Sequence, residues 1–270
     1  MSAGARTRVG CAVDTDGRIT FGLPPGTDRL LVRLRPPKGE PERVAHVLDA
    51  ETGDDGARRA VLGPDPVLEE GRWDVYALRG PDGGRERVRP AARDLRALVG
   101  GHLRDRAAPL AVRVPYVTRD GRLAVRAWLR PAHAEVADIG VTGTATTVAA
   151  RLHGATLLPG AAVSLRARGG GRARTADVSA AGDGRSFSFT VAHAELADGG
   201  EGVWDAFVRP APDAPPIRLA RLLDDVADRK SVFVYPATTV GDRVVRAYYT
   251  VDNDLSVSVR PAAGTGTPGG

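Results

Sequence analysis

Cysteine is nearly absent from this sequence, since Cys11 is the only one among 270 residues. A single thiol excludes an intrachain disulfide and a metal site built from cysteines alone. No apolar run approaches the roughly 18 residues that a membrane-spanning helix needs. The first 14 residues lack the apolar segment of a secretory signal. We therefore expect a cytoplasmic protein without a transmembrane segment, held at the inner face of the membrane only through a partner.

Lysine is also scarce, and the charges are mixed along the chain. Among 38 basic residues only Lys38 and Lys230 are lysines, and 33 acidic residues leave a net charge of +5. The pI of about 9.8 would suit nucleic-acid binding. However, arginines are interleaved with acidic residues, as at 224–229, and no run of five or six basic residues occurs. The distribution therefore argues against a nucleic-acid partner.

Catalytic signatures are missing as well. The sequence has no HExxH zinc motif, no GxSxG elbow and no GxxxxGK[ST] phosphate loop. Residues 133–135 and 193–195 spell the HxE of zinc deaminases, but the PCxxC half of that site cannot be built with one cysteine. We therefore predict a protein that is not an enzyme, with no catalytic, cofactor-binding or metal-binding residue and with its binding residues unknown.

Two short acidic segments have the composition of cation ligands. Residues 14–17 read Asp-Thr-Asp-Gly, and residues 252–254 read Asp-Asn-Asp. An EF-hand loop that began at Asp14 would need a glutamate at its twelfth position, where Pro25 stands. We interpret both segments as β-turns. The three glycines at 169–171 lie between predicted strands, which indicates a hairpin loop rather than a phosphate cradle.

Alternation of apolar and polar residues with a period of two dominates the sequence. It predicts strands with one buried face, and about eight or nine such strands in each half are typical of antiparallel β-sandwiches. The clearest examples are 122–127, 163–168, 186–191 and 255–260. Asp-Gly or Gly-Asp pairs predict turns at 16–17, 120–121, 183–184 and 241–242.

Helix is predicted at only two places. The better candidate is 91–99, with Pro90 before it and two glycines after it, and 222–229 is expected to form a short helical turn.

An internal repeat is the strongest feature. Residues 70–76 read EGRWDVY and residues 201–207 read EGVWDAF, an offset of 131 that also aligns 34–35 with 165–166. Near the ends, 125–128 aligns with 245–248 at an offset of 120, so the alignment needs an indel of 11 residues. We predict an all-β protein of two tandem antiparallel immunoglobulin-like β-sandwich domains from an internal duplication. Their predicted bounds are 1–130 and 131–262, followed by a disordered tail at 263–270.

Repeated aromatic residues admit two interpretations. Trp73 and Trp204 lie in the middle of predicted strands and are expected to anchor the two cores, whereas a sugar-stacking platform would need exposed rings. Tyr248 and Tyr249 are adjacent in a predicted strand, so their side chains point to opposite faces and one of them is expected to be exposed.

Arg126 and Arg246 each precede the last aromatic residue of their half. We expect each to pair with a carboxylate on a neighbouring strand. Such a surface pair contributes only about 0–1 kcal/mol, so a structural role is favoured over a binding role.

A family resemblance rests on three segments: the repeated Trp-Asp strand, 222–230 and 248–257. Together they resemble the β-sandwich repeats that follow the catalytic domain in actinobacterial family-2 glycosyltransferases and glycerophosphotransferases for cell-wall polymers. The tandem immunoglobulin-like domains of teichoic acid glycosyltransferases are a more distant analogy. Those enzymes carry an upstream α/β transferase domain that this sequence does not contain, so no catalytic residue is carried over. The resemblance implies oligomerisation, partner docking or holding of an acceptor polymer.

Three functional hypotheses follow. The first is a non-catalytic accessory module that docks an envelope glycosyltransferase or glycerophosphotransferase, or that associates with itself. The second is a module that binds a carbohydrate or a teichoic-acid-like polyanion, which the arginine excess would suit. The third is an enzyme, related to the transferases by family label only, whose active site forms between chains or domains.

Overall fold

The computed structural model of the chain describes residues 7–79, 84–100, 106 and 108–262. Strands make up nearly all of the regular structure of these residues, so the chain is all-β as the alternation predicts. The chain divides into two compact units. Unit 1 comprises Met1–Arg130 with Leu223–Ala227, and unit 2 comprises Pro131–Leu222 with Asp228–Gly270. The tail predicted at 263–270 lies outside the described residues.

Unit 1 is built on a ten-stranded sheet in the order β8-β1-β2-β5-β4-β3-β6-β10-β9, with β7 paired to β6. β1 and β8 run parallel, and the other pairs are antiparallel. Its elements are β1 (Arg8–Val13), β2 (Ile19–Gly22), β3 (Arg29–Leu34), β4 (Ala45–Thr52), β5 (Arg58–Leu62), β6 (Gly71–Arg79), β7 (Gly84–Arg87), β8 (Arg89–Asp94), α1 (Arg96–Val99), β9 (Leu110–Val117) and β10 (Leu123–Arg130).

Unit 2 is built on an eleven-stranded sheet in the order β15-β16-β12-β11-β18-β17-β21-β20-β19, with β13 paired to both β17 and β14. β11 and β18 run parallel, which departs from the purely antiparallel prediction as β1 and β8 do. Its elements are β11 (His133–Val141), β12 (Ala145–His153), β13 (Ala162–Ala167), β14 (Ala173–Asp177), β15 (Ser179–Ala180), β16 (Ser186–Ala192), α2 (His193–Asp198), β17 (Gly202–Arg209), β18 (Ile217–Ala220), β19 (Thr238–Val240), β20 (Arg243–Tyr249) and β21 (Leu255–Pro261).

The two tryptophans are core residues. Trp73 and Trp204 are both 0% exposed, which confirms the core interpretation and excludes a sugar platform at either ring. Each tryptophan strand begins at a glycine with positive φ, +156° at Gly71 and +146° at Gly202, a region that residues with a Cβ rarely adopt. A Cβ at Gly71 would also lie 2.6 Å from Cδ1 of Leu34, so a larger residue would disturb the entry to this strand.

The helix predictions are largely wrong. Residues 91–94 belong to strand β8, which pairs with β1, and only Arg96–Val99 are helical. Residues 222–229 form bends and irregular backbone instead of a helix, and side chains accept several of their N–H groups. The N–H of Leu222 donates to Oε2 of Glu135, and the N–H of Arg229 donates to Oδ1 of Asn253. The helix α2 was not predicted.

The strand register also corrects the sequence alignment of the two halves. Asp74 of β6 lies opposite Arg33 and Ala124, and Asp205 of β17 lies opposite Arg166 and Ser256. Position 33 therefore corresponds to 166, which replaces the predicted match of 34–35 with 165–166. By the same register, β10 corresponds to β21 and β9 to β20. The match of 125–128 with 245–248 is wrong by one strand, and the 11-residue indel is not needed.

A candidate anion-binding groove

The groove lies on the outer face of strands β20 and β21 in unit 2. In β20, Val245, Ala247 and Tyr249 point into the core and are at most 2% exposed. The intervening side chains therefore point to the other face, where a chain segment at 230–237 completes a cavity of about 310 Å³. The residues that determine its chemistry are Lys230, Phe233, Arg246, Tyr248, Ser258 and Arg260.

Strand pairing brings the groove residues together. Arg246 of β20 lies opposite Ser258 of β21, and Val244 lies opposite Arg260, so the two arginines are diagonal neighbours on one face. The Nε–H of Arg246 donates to the main-chain oxygen of Tyr235 at 3.0 Å. This bond fixes the guanidinium at the cavity and leaves its terminal N–H groups for other acceptors.

The groove is positively charged. Three cationic side chains line it, those of Lys230, Arg246 and Arg260, and no lining residue in this described part of the chain is acidic. A unit charge about 4 Å from an opposite charge near a protein surface is attracted by about 4 kcal/mol, before the cost of desolvation. The groove therefore favours an anionic ligand, with guanidinium forks that match the oxygens of phosphate or carboxylate.

An aromatic ring lies among these charges. Tyr248 is half-buried and lines the groove, whereas Tyr249 is fully buried, which confirms that adjacent tyrosines face opposite sides. The rings of Phe233 and Tyr235 pack against Tyr249 with centroid distances of 6.3 and 6.1 Å and hold the wall segment on the core. Burial raises the pKa of Tyr249 far above its ordinary value, so it stays neutral.

A cluster of ion pairs borders the groove on the same face. Asp205 of β17 accepts two hydrogen bonds from Arg168, both at 2.9 Å, and one from Arg218 at 2.7 Å. Ser256 of β21 donates a further bond to the same carboxylate at 2.7 Å. Although burial raises the pKa of Asp205, these hydrogen bonds outweigh it and hold the pKa at about 2. Asp205 is therefore an anion at all ordinary pH values.

Unit 1 has a related cluster at the corresponding position. Asp74 is only 3% exposed and forms ion pairs with Arg33 at 3.5 Å, Arg35 at 2.5 Å and Arg87 at 3.1 Å. The guanidinium of Arg33 also donates to the hydroxyl of Tyr76 and lies over its ring. In both units the carboxylate directly follows the core tryptophan and faces the opposite side of the sheet.

The two HxE segments form separate buried contacts. In 133–135, Nε2 of His133 lies 2.7 Å from Oε2 of Glu135, and the ring of His153 stacks on His133 at 6.1 Å. Burial lowers the pKa of His153 to about 4. In 193–195, His193 begins α2 and its Nε2 lies 2.8 Å from the hydroxyl of Thr146.

The segments considered as cation ligands are turns. Asp14 Oδ1 accepts the N–H groups of Asp16 and Arg18, both at 2.9 Å, and Asn253 has a φ of +62° in the turn that joins β20 to β21. The three glycines at 169–171 form the loop between β13 and β14, as predicted. Within the described residues, no group of three or more His, Cys, Asp or Glu side chains is placed to hold a metal.

Several remaining positions are structural. Burial raises the pKa of the Cys11 thiol to about 11, which leaves it unreactive. The guanidinium of Arg126 lies over the ring of Trp128 at 5.2 Å. The prediction that Arg246 pairs with a carboxylate is wrong, because its Nε–H donates to the main-chain oxygen of Tyr235. Neither described helix is long and apolar enough to cross a membrane.

The groove was not identified from the sequence. Its signal is the pair of polar strand faces, in which Arg246 and Tyr248 alternate on β20 as Ser258 and Arg260 do on β21. Two such faces become one site only when the pairing of the strands is known. Lys230 joins them from the position directly after 222–229, the segment that was predicted to form a helical turn.

Comparisons with known proteins add a weak similarity. No protein-family model matches the chain, and no curated protein does. The crystal structure of S. aureus TarS, a teichoic acid glycosyltransferase, aligns with a TM-score of 0.39 and 10% identity over 60% of this chain and 30% of that chain. The structure of TarS residues 217–571 aligns with a TM-score of 0.38 and 9% identity over 71% of this chain and 45% of that chain.

The chain thus spans less than half the length of either TarS structure. The match agrees with the predicted resemblance at a coarse level only, because it concerns a partial region at low identity. With TM-scores below 0.5, it assigns neither an activity nor a ligand to this chain.

Proposed function

We propose that the protein is a non-catalytic binding module and that the groove of unit 2 binds a phosphate-bearing glycan or a teichoic-acid-like polyanion. The observation that supports this proposal is the convergence of Lys230, Arg246 and Arg260 around the half-buried ring of Tyr248. Arginine forks suit phosphate oxygens, and an aromatic ring between them suits the apolar face of a sugar or a polyol.

Equilibrium binding of purified wall teichoic acid to the full chain tests the proposal. We expect Arg246→Gln to weaken binding about tenfold, the effect of losing one charge-assisted contact of about 1.4 kcal/mol. Arg151→Gln is the matched control, because Arg151 is exposed on β12 in the other part of the unit 2 sheet. Affinity for the unchanged protein should fall steeply as salt is raised.

Two outcomes would overturn this proposal. One is the absence of measurable binding at low salt. The other is an equal loss of affinity in Arg246→Gln and Arg151→Gln, which would show general charge attraction instead of a site. Circular dichroism of each variant separates a binding defect from a folding defect.

The fold supports a further part of the proposal, that the units are two immunoglobulin-like copies from one duplication. Four strand pairs of unit 1 repeat in unit 2 with corresponding registers. They are β3–β6, β6–β10, β9–β10 and β6–β7, which match β13–β17, β17–β21, β20–β21 and β17–β18. Within these pairs the numbering offset stays between 131 and 133 residues.

Docking to an envelope glycosyltransferase or glycerophosphotransferase stays a prediction. Co-purification of the tagged full chain from a lysate of its source organism, read by mass spectrometry, tests it. Enrichment of such an enzyme would make the chain an accessory subunit, whereas turnover of a nucleotide sugar by the purified chain alone would contradict the non-catalytic role.

A further inference from the structure

The groove continues into a second cationic position on the same sheet face. The N–H of Arg168 binds the oxygen of Val203, Val203 lies opposite Ser258, and Ser258 lies opposite Arg246. These four residues therefore form one row, in which Arg168 directly follows the end of β13 and the other three lie on β17, β21 and β20. Three strand spacings separate the ends of the row, which places the main chains of Arg168 and Arg246 about 14 Å apart.

At the other end of the row, the contact of Arg168 with Asp205 uses only part of its N–H donors. Its side chain is 51% exposed, and its Nε and Nη2 bind the two oxygens of Asp205. A guanidinium has five N–H donors, so this bidentate contact uses two of them. Arg166 is the next cation on this face of β13, and its guanidinium lies 5.0 Å from the ring centre of Phe207.

The surface between the two ends is polar but carries little net charge. The neighbouring row contains Arg166, Asp205, Ser256 and Tyr248. The carboxylate of Asp205 is compensated by Arg168 and Arg218, and hydroxyl groups lie beside it. A densely charged strand would bring phosphates over this carboxylate, whereas a neutral sugar unit would meet hydroxyl groups and the tyrosine ring.

We propose that the ligand is a phosphodiester-linked sugar polymer that crosses this face, with one phosphate at Arg246 in the groove and another at Arg168. This inference rests on the proposed function of the groove. Because the main chains of these two arginines are about 14 Å apart, the proposed ligand carries two phosphates with neutral sugar between them. Two linked contacts also raise the affinity for a polymer above that for a monomer, since the second contact forms within the bound complex.

The test compares a monomer with an oligomer on the full chain. The probes are glucose 1-phosphate and a synthetic glucose oligomer with two or more phosphodiester links. We expect Arg168→Gln to weaken oligomer binding about tenfold and to change monomer binding less than twofold. Arg246→Gln should weaken the binding of both probes.

The results separate the two proposals. If Arg168→Gln affects the binding of neither probe, or of both equally, the second phosphate position at Arg168 is overturned while the proposed site in the groove stands. If Arg246→Gln changes the binding of neither probe, the proposed binding site in the groove is wrong. Single-stranded poly(U) that competes as well as the oligomer would also overturn the inference, in favour of a nucleic acid. Arg168→Lys, which keeps the charge beside Asp205, repeats the test if the glutamine variant does not fold.

Discussion

The outer faces of β9–β10 in unit 1 and β20–β21 in unit 2 share one register but differ in chemistry. In unit 1, Tyr116 lies opposite Ala124, which lies opposite Asp74. In unit 2, Tyr248 lies opposite Ser256, which lies opposite Asp205, so the two tyrosines occupy corresponding positions. Around these tyrosines, Val114 and Trp128 of unit 1 stand where Arg246 and Arg260 stand in unit 2. The residues of unit 1 are at most 1% exposed, whereas Arg260 is exposed and Arg246 lines a cavity.

The inner faces show the opposite behaviour. Trp73 and Trp204 both lie opposite a buried valine, Val125 and Val257, at the same place in the sheet. Side chains that fill the core are thus alike in the two units, and side chains on the other face differ. This difference indicates that one backbone pattern carries buried apolar side chains in unit 1 and a cationic groove in unit 2.

The largest effect is expected at the tryptophans and tests the likeness of the inner faces. Trp73→Ala and Trp204→Ala should each lower the free energy of unfolding by about 3–5 kcal/mol, because each leaves a large cavity in a packed core. Urea unfolding followed by circular dichroism measures this. Trp73→Phe and Trp204→Phe should lower the free energy of unfolding much less. A loss under about 1 kcal/mol in either alanine variant would contradict an equivalent core role for the two tryptophans.

An intermediate effect is expected from a buried histidine of unit 2. The pKa of His153 is lowered from 6.5 to about 4, first by burial and then by the nearby His133. The unfolded chain therefore binds more protons than the folded chain below pH 6.5. Stability should fall as the pH drops from 6.5 to about 4, by at most about 3 kcal/mol.

Unfolding of the full chain at several pH values measures this loss. His153→Gln should flatten the slope, because glutamine does not titrate. An unchanged slope in that variant would assign the acid sensitivity to other groups.

The sequence alone predicted the features that depend on local pattern. Alternation identified the strands, Asp-Gly pairs identified turns such as 16–17 and 120–121, and the adjacent tyrosines were correctly assigned to opposite faces. The prediction failed where two segments look alike. Residues 125–128 and 245–248 share a Val-Arg-Ala-aromatic pattern, but they lie on strands that do not correspond.

The groove shows a second limit of the sequence. Its cations come from 230, 246 and 260, and their proximity depends on strand pairing and on the path of a segment without regular structure. Residues 91–94 show a third limit, because pairing with β1 overrides the helical preference of an alanine-rich segment behind a proline.

The smallest effect is expected at the paired aspartates and sharpens the comparison of the outer faces. Asp74→Asn should cost about 2 kcal/mol, because it leaves three arginines around a buried position without their carboxylate. Asp205→Asn should cost about 1 kcal/mol, because its side chain is 19% exposed and solvent screens its partners better.

Acid titration distinguishes the contribution of Asp205. Because its folded pKa of about 2 lies below the ordinary value of 3.8, its stabilising effect is present above pH 4 and is lost as the pH falls towards 2. Asp205→Asn should therefore match the unchanged protein near pH 2 and fall below it near pH 5. The opposite order near pH 5, with a larger loss in the free energy of unfolding for Asp205→Asn than for Asp74→Asn, would contradict this prediction. It would show that the ion pairs on the outer face of unit 2 contribute more to stability than those of unit 1.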